Sequence, residues 1–372
     1  MRNYFYLHKV RKIGLFVLIL FFLFPCISDV ISVGPGTVEA KITQNGVSST
    51  NNEITPDSIN PKFQAAIAIQ NRYTPWLMAI QEVIGTATGL TEDGRPAILA
   101  FTKSEVRAGI IPTDLESVSV IVIITGEFVA MHGSSGKGSP GAVKIDPKSR
   151  FSRPVPIGVS TGNAYECSAG TIGARVTNGT NVYSLSNNHV YARENNATVG
   201  EMVLQPGLYD TGCTYDSNNI IGNLTDFKPI IFSTSASNTV DAAIALSSTA
   251  NLGNQTPSNG YGAPKSITTE PALNMYVQKY GRTTSLTKGI INGINATINV
   301  GYSSGTARFV NQIIVYSRKP FIKPGDSGSL LVTDPDRNPV GLLFAGTSDG
   351  KWAIANPIGE VLNSFGVTID GE

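Results

Sequence analysis

The stretch from Pro324 to Val332, PGDSGSLLV, places a serine between two glycines and runs directly into an apolar, β-type segment. Glycines at 325 and 328 permit a tight turn. The backbone amides of Gly325 and Ser327 can then converge on one point, where a carbonyl oxygen turning into an oxyanion would be stabilised. A serine hydroxyl is a poor nucleophile until a base accepts its proton, and imidazole is the side chain whose ordinary pKa suits that task near neutral pH. From Arg153 to the C-terminus there is a single histidine, His189, in SNNHVYA (186–192). An imidazole used in this way needs a buried carboxylate to fix its tautomer and stabilise the imidazolium. Asp241, in NTVDAAIAL (238–246), stands in an apolar β-type run where a solvated surface aspartate is not expected, and an ionised carboxylate there needs partners.

The texture around these residues is uniform from Arg153 onward. Short β-type runs (170–176, 181–186, 201–205, 239–246, 275–281, 288–300, 312–317, 329–333 and 339–346) are separated by Gly, Asn, Pro and Asp turns. Strands at that spacing, with almost no helical period until a short helix after Pro357, predict an all-β sandwich or barrel. The same motif fails other folds. Ser329 stands where G-x-S-x-G requires its second glycine, and no histidine follows Ser327, which excludes the α/β-hydrolase order. DPDRN (334–338) has Pro339 in place of the calcium-loop glycine and Ala345 in place of its glutamate, so it reads as a hairpin turn. Arg282 and Thr283 in KYGRTT read as turn residues, and no HExxH or Cys/His cluster suggests zinc.

Taken together, SNNHV, TVDAAIA and PGDSGSLLV, in the chain order His, Asp, Ser, resemble the motifs of the chymotrypsin-like (trypsin-like) serine peptidases secreted by bacteria. The resemblance covers 153–372. It implies a double β-barrel with the site in the cleft between the barrels, His189 as general base and acid, Asp241 as its orienter, and Ser327 as nucleophile. It further implies an oxyanion hole from Gly325 and Ser327. Phe321 stands at the base of the family's primary specificity pocket, where trypsin-type enzymes carry an aspartate. With Ile322 and a wall from Leu343, Phe344, Ala345 and Gly346, it implies apolar or small side chains at the cleaved position and disfavours Lys or Arg. The buried new N-terminus of the animal zymogens has no counterpart in the sequence. No cofactor or metal is needed for this chemistry.

Upstream, the basic segment 1–12 and the apolar run Ile13 to Phe24 read as a signal peptide within 1–40, with cleavage allowed after Ala40. An uncleaved anchor is the alternative, and would be the chain's one membrane contact. Cys26 follows bulky Phe24 and Pro25, which is a poor lipobox. Export leaves Cys167 and Cys213 in an oxidising compartment, where a pair of thiols has one possible connectivity; two buried free cysteines are the alternative. Residues 41–60 are polar and read as a flexible leader. Residues 61–132 combine a helical period from Phe63 to Ile80 with β-type runs at 83–90, 96–102, 118–124 and 127–131, and a short helix expected over 104–109. They form a small α+β module, either a pro-region or a permanent accessory domain, whose one histidine is His132. Residues 133–152 read as a linker or activation loop open to processing.

With 28 Lys and Arg against 27 Asp and Glu, the chain lacks the basic stripe that a nucleic-acid partner requires. The expected function is therefore a secreted serine endopeptidase acting on protein or peptide substrates through an acyl-enzyme, made as a precursor. Two other readings stay open: a non-catalytic binding protein on the same fold, and a peptidase limited to self-processing.

Overall fold

The computed structural model describes residues 60–131, 133 and 145–372. The signal segment, nearly all of the leader, Cys26, His132 and most of the linker lie outside the described residues. Six strands close into a ring. Tyr276–Gly281 pairs with Ser285–Tyr302, and the order then runs through Gly305–Tyr316, Trp352–Pro357, Pro339–Gly346 and Leu330–Thr333 back to Tyr276–Gly281. Closure leaves the ring portion of these strands no free edge, and alternate residues fill the interior. Val277, Ile291, Ile313, Val315, Leu331 and Leu343 belong to its core. The turn over 334–338 joins Leu330–Thr333 to Pro339–Gly346, and the serine loop enters the ring immediately before Leu330.

A second, eight-stranded sheet is built from the region before the ring. Its order is Thr368–Ile369, Ala174–Thr177, Val182–Ser186, Ala243–Ser247, Ile220–Phe227, Met202–Leu204, Ser160–Asn163 and Gly170–Thr171. Its own apolar core includes Ile157, Val159, Ile172, Tyr191, Val203 and Leu224. The C-terminal strand returns to this sheet through Thr368 opposite Thr177, reached by the helix Ile358–Phe365, which buries Ile358, Val361 and Leu362. Cys167 and Cys213 are joined in a disulfide with Cα atoms 5.2 Å apart and a sequence separation of 46. Closing a loop of that length restricts the unfolded chain, so the double Cys167→Ser, Cys213→Ser variant should lose about 2–4 kcal/mol in urea unfolding. An unchanged midpoint and slope would show that the link contributes nothing.

Residues 61–130 extend the ring's sheet. The helix Pro61–Leu77 starts at Asn60, whose side chain accepts from Lys62 N–H at 3.0 Å, and proline at the first position costs no hydrogen bond there. Its buried face (Phe63, Ala66, Gln70, Thr74, Leu77) covers strands Val83–Leu90 and Pro96–Thr102. Val83–Leu90 pairs with Ser285–Tyr302, whose long hairpin with Gly305–Tyr316 projects an edge that would otherwise expose a row of backbone groups. Leu77, Val83, Ile98 and Ala100 form a local cluster, while Ala87, Leu99 and Phe101 share another with Ala296, Phe309 and Phe344 of the ring.

Three sequence expectations change. Residues 104–109 form no helix, because six residues ending in Gly109 at φ +84° cannot offset the cost of helix nucleation. Asp241 lies before the strand Ala243–Ser247 rather than within it. Strands Ile220–Phe227 and Trp352–Pro357 were hidden: the first carries Gly222, Asn223 and Asp226, which read as turn residues, and takes a bulge between Leu224 and Asp226.

Candidate active site

His189 sits in a single helical turn, Asn188–Tyr191, that follows strand Val182–Ser186, and its side chain is fully buried. Its Nδ1 lies 2.5 Å from Asp241 Oδ2, and its backbone N–H donates to Asp241 Oδ1 at 3.2 Å. Asp241 is also fully buried. Its own N–H donates to Asn356 Oδ1 at 3.0 Å, and its carbonyl accepts from Asn187 Nδ2 at 2.7 Å. These bonds fix the backbone on both sides of the carboxylate, so Asp241 holds His189 through both oxygens, one on the ring and one on the backbone amide.

Ser327 is buried on the loop entering strand Leu330–Thr333. Gly325 and Gly328 on either side adopt φ +96° and +89°, the left-handed region that favours glycine. The Ser327 carbonyl accepts from Thr171 N–H at 2.8 Å, which ties the serine loop of the ring to the second sheet beside the histidine turn. The Ser327 hydroxyl donates to the Phe344 carbonyl at 3.1 Å, and Gly325 N–H donates to the backbone carbonyl of Met131 at 2.7 Å. Phe321 and Ile322 are fully buried and share a cluster with Leu343 and Met131. Phe344 and Ala345 turn their side chains into a different cluster, with Phe309, and offer only backbone to the cleft. Gly346 has no room for a side chain: a Cβ there would lie 2.5 Å from Ile322 Cγ2 and 3.0 Å from Met131 Cε.

No known family model matches the chain. A stretch of 113 residues is 33% identical to streptogrisin-A of Streptomyces griseus, covering 29% of this chain and 35% of that protein. The chain thus spans about a third of the length of the curated relative it matches. This likeness joins a closed six-stranded ring carrying the serine loop and a second β-sheet carrying the histidine and aspartate. The fold is that of the chymotrypsin-like bacterial serine proteases. Among solved structures, a glutamic acid specific serine protease aligns at 20% identity with a TM-score of 0.42, over 58% of this chain and 100% of that one. Thermobifida fusca Protease A aligns at 19% identity and a TM-score of 0.43, over 59% and 100% of the two chains. Nocardiopsis protease aligns at 19% and 0.42, over 58% and 99%.

Within the chymotrypsin-like fold, several groups around the site carried no sequence signal. Tyr302, at the tip of the long hairpin, donates its hydroxyl to Asp241 Oδ2 at 2.9 Å and packs edge-on against the His189 ring. Burial first, and then the nearby Asp241 and Glu194 carboxylates, hold Tyr302 well above the usual phenol range, so it remains a donor. Glu194 fixes this hairpin tip by accepting from Ser303 N–H at 3.1 Å and from Ser304 N–H at 2.8 Å. Tyr302→Phe should lower kcat about tenfold with KM unchanged, the cost of one hydrogen bond to a buried carboxylate. A wild-type kcat in that variant would reduce Tyr302 to packing.

The serine loop has its own support. Asp326 is fully buried and accepts from Thr283 N–H (2.8 Å), Thr284 N–H (3.1 Å) and Lys323 N–H (2.9 Å). Lys279, also fully buried, lies with Nζ 3.5 Å from Asp326 Oδ2. Burial pulls the Lys279 ammonium below the usual lysine range, against the pull of the Asp326 carboxylate toward the charged form. Buried Arg282 pairs with Asp210, its Nε 2.6 Å from Oδ2, and Thr283 Oγ donates to the Pro324 carbonyl at 2.6 Å. The KYGRTT segment is thus a brace for the serine loop.

Proposed function

We propose that this chain is an exported serine endopeptidase that cleaves peptide bonds through an acyl-enzyme on Ser327. The observation that carries this reading is the 2.5 Å contact between His189 Nδ1 and a fully buried Asp241 carboxylate, in a chain whose Gly-Asp-Ser-Gly turn is tied to the same sheet through the Ser327 carbonyl and Thr171 N–H. An imidazole held through Nδ1 presents Nε2 as the base, and Asp241 offsets the charge it acquires. The Ser327 hydroxyl turns from the Phe344 carbonyl toward His189, gives up its proton and attacks the substrate carbonyl. Gly325 and Ser327 N–H stabilise the oxyanion; losing one such donor typically costs about 10²–10³ in rate. His189 passes the proton to the leaving amine, and then activates the water that releases the acyl group.

The reading includes specificity. Phe321, Ile322, Leu343 and the bare backbone at Gly346 favour an unbranched apolar side chain at the cleaved position, and no carboxylate stands among them to pair with Lys or Arg. An unpaired charge would have to be desolvated there. Export rests on the segment 1–40 alone; among the described residues no helix is long and apolar enough to cross a membrane. In a series of chromogenic peptides differing only at the cleaved residue, kcat/KM for Met or Leu should exceed that for Arg by at least about 10². Equal or greater activity on Arg would overturn the pocket assignment, and no hydrolysis of any member by processed protein would favour the non-catalytic reading.

A further inference from the structure

The helical turn that carries His189 runs into a stretch of unusual backbone. Arg193, Glu194 and Asn195 take φ values of +50°, +54° and +73°, the longest run of left-handed non-glycine residues among those described. Each such residue sets its Cβ against a neighbouring carbonyl, so three in succession persist only where the surroundings over-determine them. Asn195 supplies much of that hold. Its N–H donates to Asn188 Oδ1 at 3.2 Å, and its Oδ1 accepts from Asn188 Nδ2 at 2.8 Å and from Ile230 N–H at 2.9 Å. Its Nδ2 donates to the Ile230 carbonyl at 2.8 Å. Arg193 is held separately by Glu201, with Nη2 2.6 Å from Oε1.

Between these two anchors, Glu194 is 4% exposed and reaches the tip of the long hairpin of the ring. Its Oε1 accepts from Ser303 N–H at 3.1 Å, and its Oε2 accepts from the Ser303 hydroxyl and from Ser304 N–H, both at 2.8 Å. Ser303 and Ser304 are exposed and directly follow Tyr302. The Tyr302 hydroxyl donates to Asp241 Oδ2, the same oxygen that faces His189 Nδ1. The stem of the hairpin is secured elsewhere, where Arg308 donates to the Ala236 and Ser235 carbonyls at 2.6 and 2.8 Å. Glu194 therefore governs the tip and not the hairpin as a whole.

Resting on the serine peptidase reading above, we infer that Glu194 is a positioning residue for that reaction: held in a strained left-handed turn directly after the histidine, it fixes the hairpin tip so that Tyr302 stays on Asp241. The residue type fits the task. A carboxylate accepts from two amides and a hydroxyl at once, whereas the NH₂ of a glutamine would turn a donor toward one of those donors. The strain fits as well. Glycine would take this φ without a clash, so what the strained backbone gains at 194 is the reach of a side chain. Without the carboxylate, the exposed amides of Ser303 and Ser304 bond to water. Tyr302 then approaches Asp241 from a loosened turn, and its hydrogen bond carries an ordering cost that the wild-type chain has already met in folding.

The test compares Glu194→Ala, Glu194→Gly, Tyr302→Phe and the double Glu194→Ala, Tyr302→Phe variant as processed protein. The readouts are steady-state kinetics on one chromogenic peptide, the rate of fluorophosphonate labelling, and urea unfolding. Both single changes at 194 should lower kcat about three- to tenfold with KM unchanged and slow labelling in step, and the double variant should be no slower than Tyr302→Phe. Glu194→Gly should unfold at a higher urea midpoint than Glu194→Ala, because only alanine keeps the left-handed strain. A more stable glycine variant that stays as slow as the alanine one separates positioning from a general role in stability. A wild-type kcat in both variants, a rise in KM alone, or losses that multiply with that of Tyr302→Phe would overturn the inference and leave the peptidase reading standing. Absence of both turnover and labelling in the wild-type chain would bring down that reading, and this inference with it.

Discussion

Ser327→Ala is expected to lower kcat on a peptide substrate by about 10⁶-fold, with little change in KM and in thermal stability. The size follows from the division of labour in the site. Without the hydroxyl there is no acyl-enzyme, and the clamp that Asp241 holds on His189 has no proton to receive, so the remaining groups can only position a substrate and polarise its carbonyl. His189→Ala should cost about as much, and the double variant no more than either, because in the proposed mechanism nucleophile and base act as a unit. Additive losses in that cycle, measured by steady-state kinetics on one substrate, would mean that the two residues do not share a step.

The second large effect concerns Lys279. Replacing it with methionine keeps most of the side-chain volume and removes the charge, which leaves the Asp326 carboxylate buried without its cationic partner. Breaking a buried ion pair from one side typically costs about 3–5 kcal/mol. Asp326 is adjacent to both Gly325 and Ser327, and its side chain holds the turn through Thr283, Thr284 and Lys323 amides, so the damage should fall on the proposed oxyanion donors as well as on stability. The expected outcome is a drop in urea midpoint together with a fall in kcat of about 10² or more. Replacing both residues, as Lys279→Met with Asp326→Asn, should recover part of the stability and none of the rate. Full activity in Lys279→Met would show that the loop holds its shape without the pair.

The β character of residues 153–372 was legible because alternating apolar runs and Gly, Asn and Pro turns mark strands locally. Ser327 and His189 stood out as candidates by chemistry and by rarity, and Asp241 by its apolar setting, although that setting is a turn-like approach to a strand. What sequence could not carry is long-range. Tyr302 reaches Asp241 from a residue 61 positions away, and Lys279 reaches Asp326 from the strand paired with the one that the serine loop enters. Neither pairing leaves a periodic or local trace. The strand Phe128–Ala130 was readable as a strand, but its place between two ring strands is a matter of sheet order, which no run of residues encodes by itself. Similarly, Ile220–Phe227 was masked by a bulge and by polar residues that a half-exposed strand tolerates.

The most direct test of the account is the reaction of processed protein with a fluorophosphonate, followed by intact mass and peptide mapping. The account predicts a single adduct on Ser327, absent from Ser327→Ala and slowed at least about 10²-fold in His189→Ala, since the hydroxyl is reactive only with its base in place. An unmodified mass after prolonged exposure, or an adduct on another serine that persists in Ser327→Ala, would contradict it.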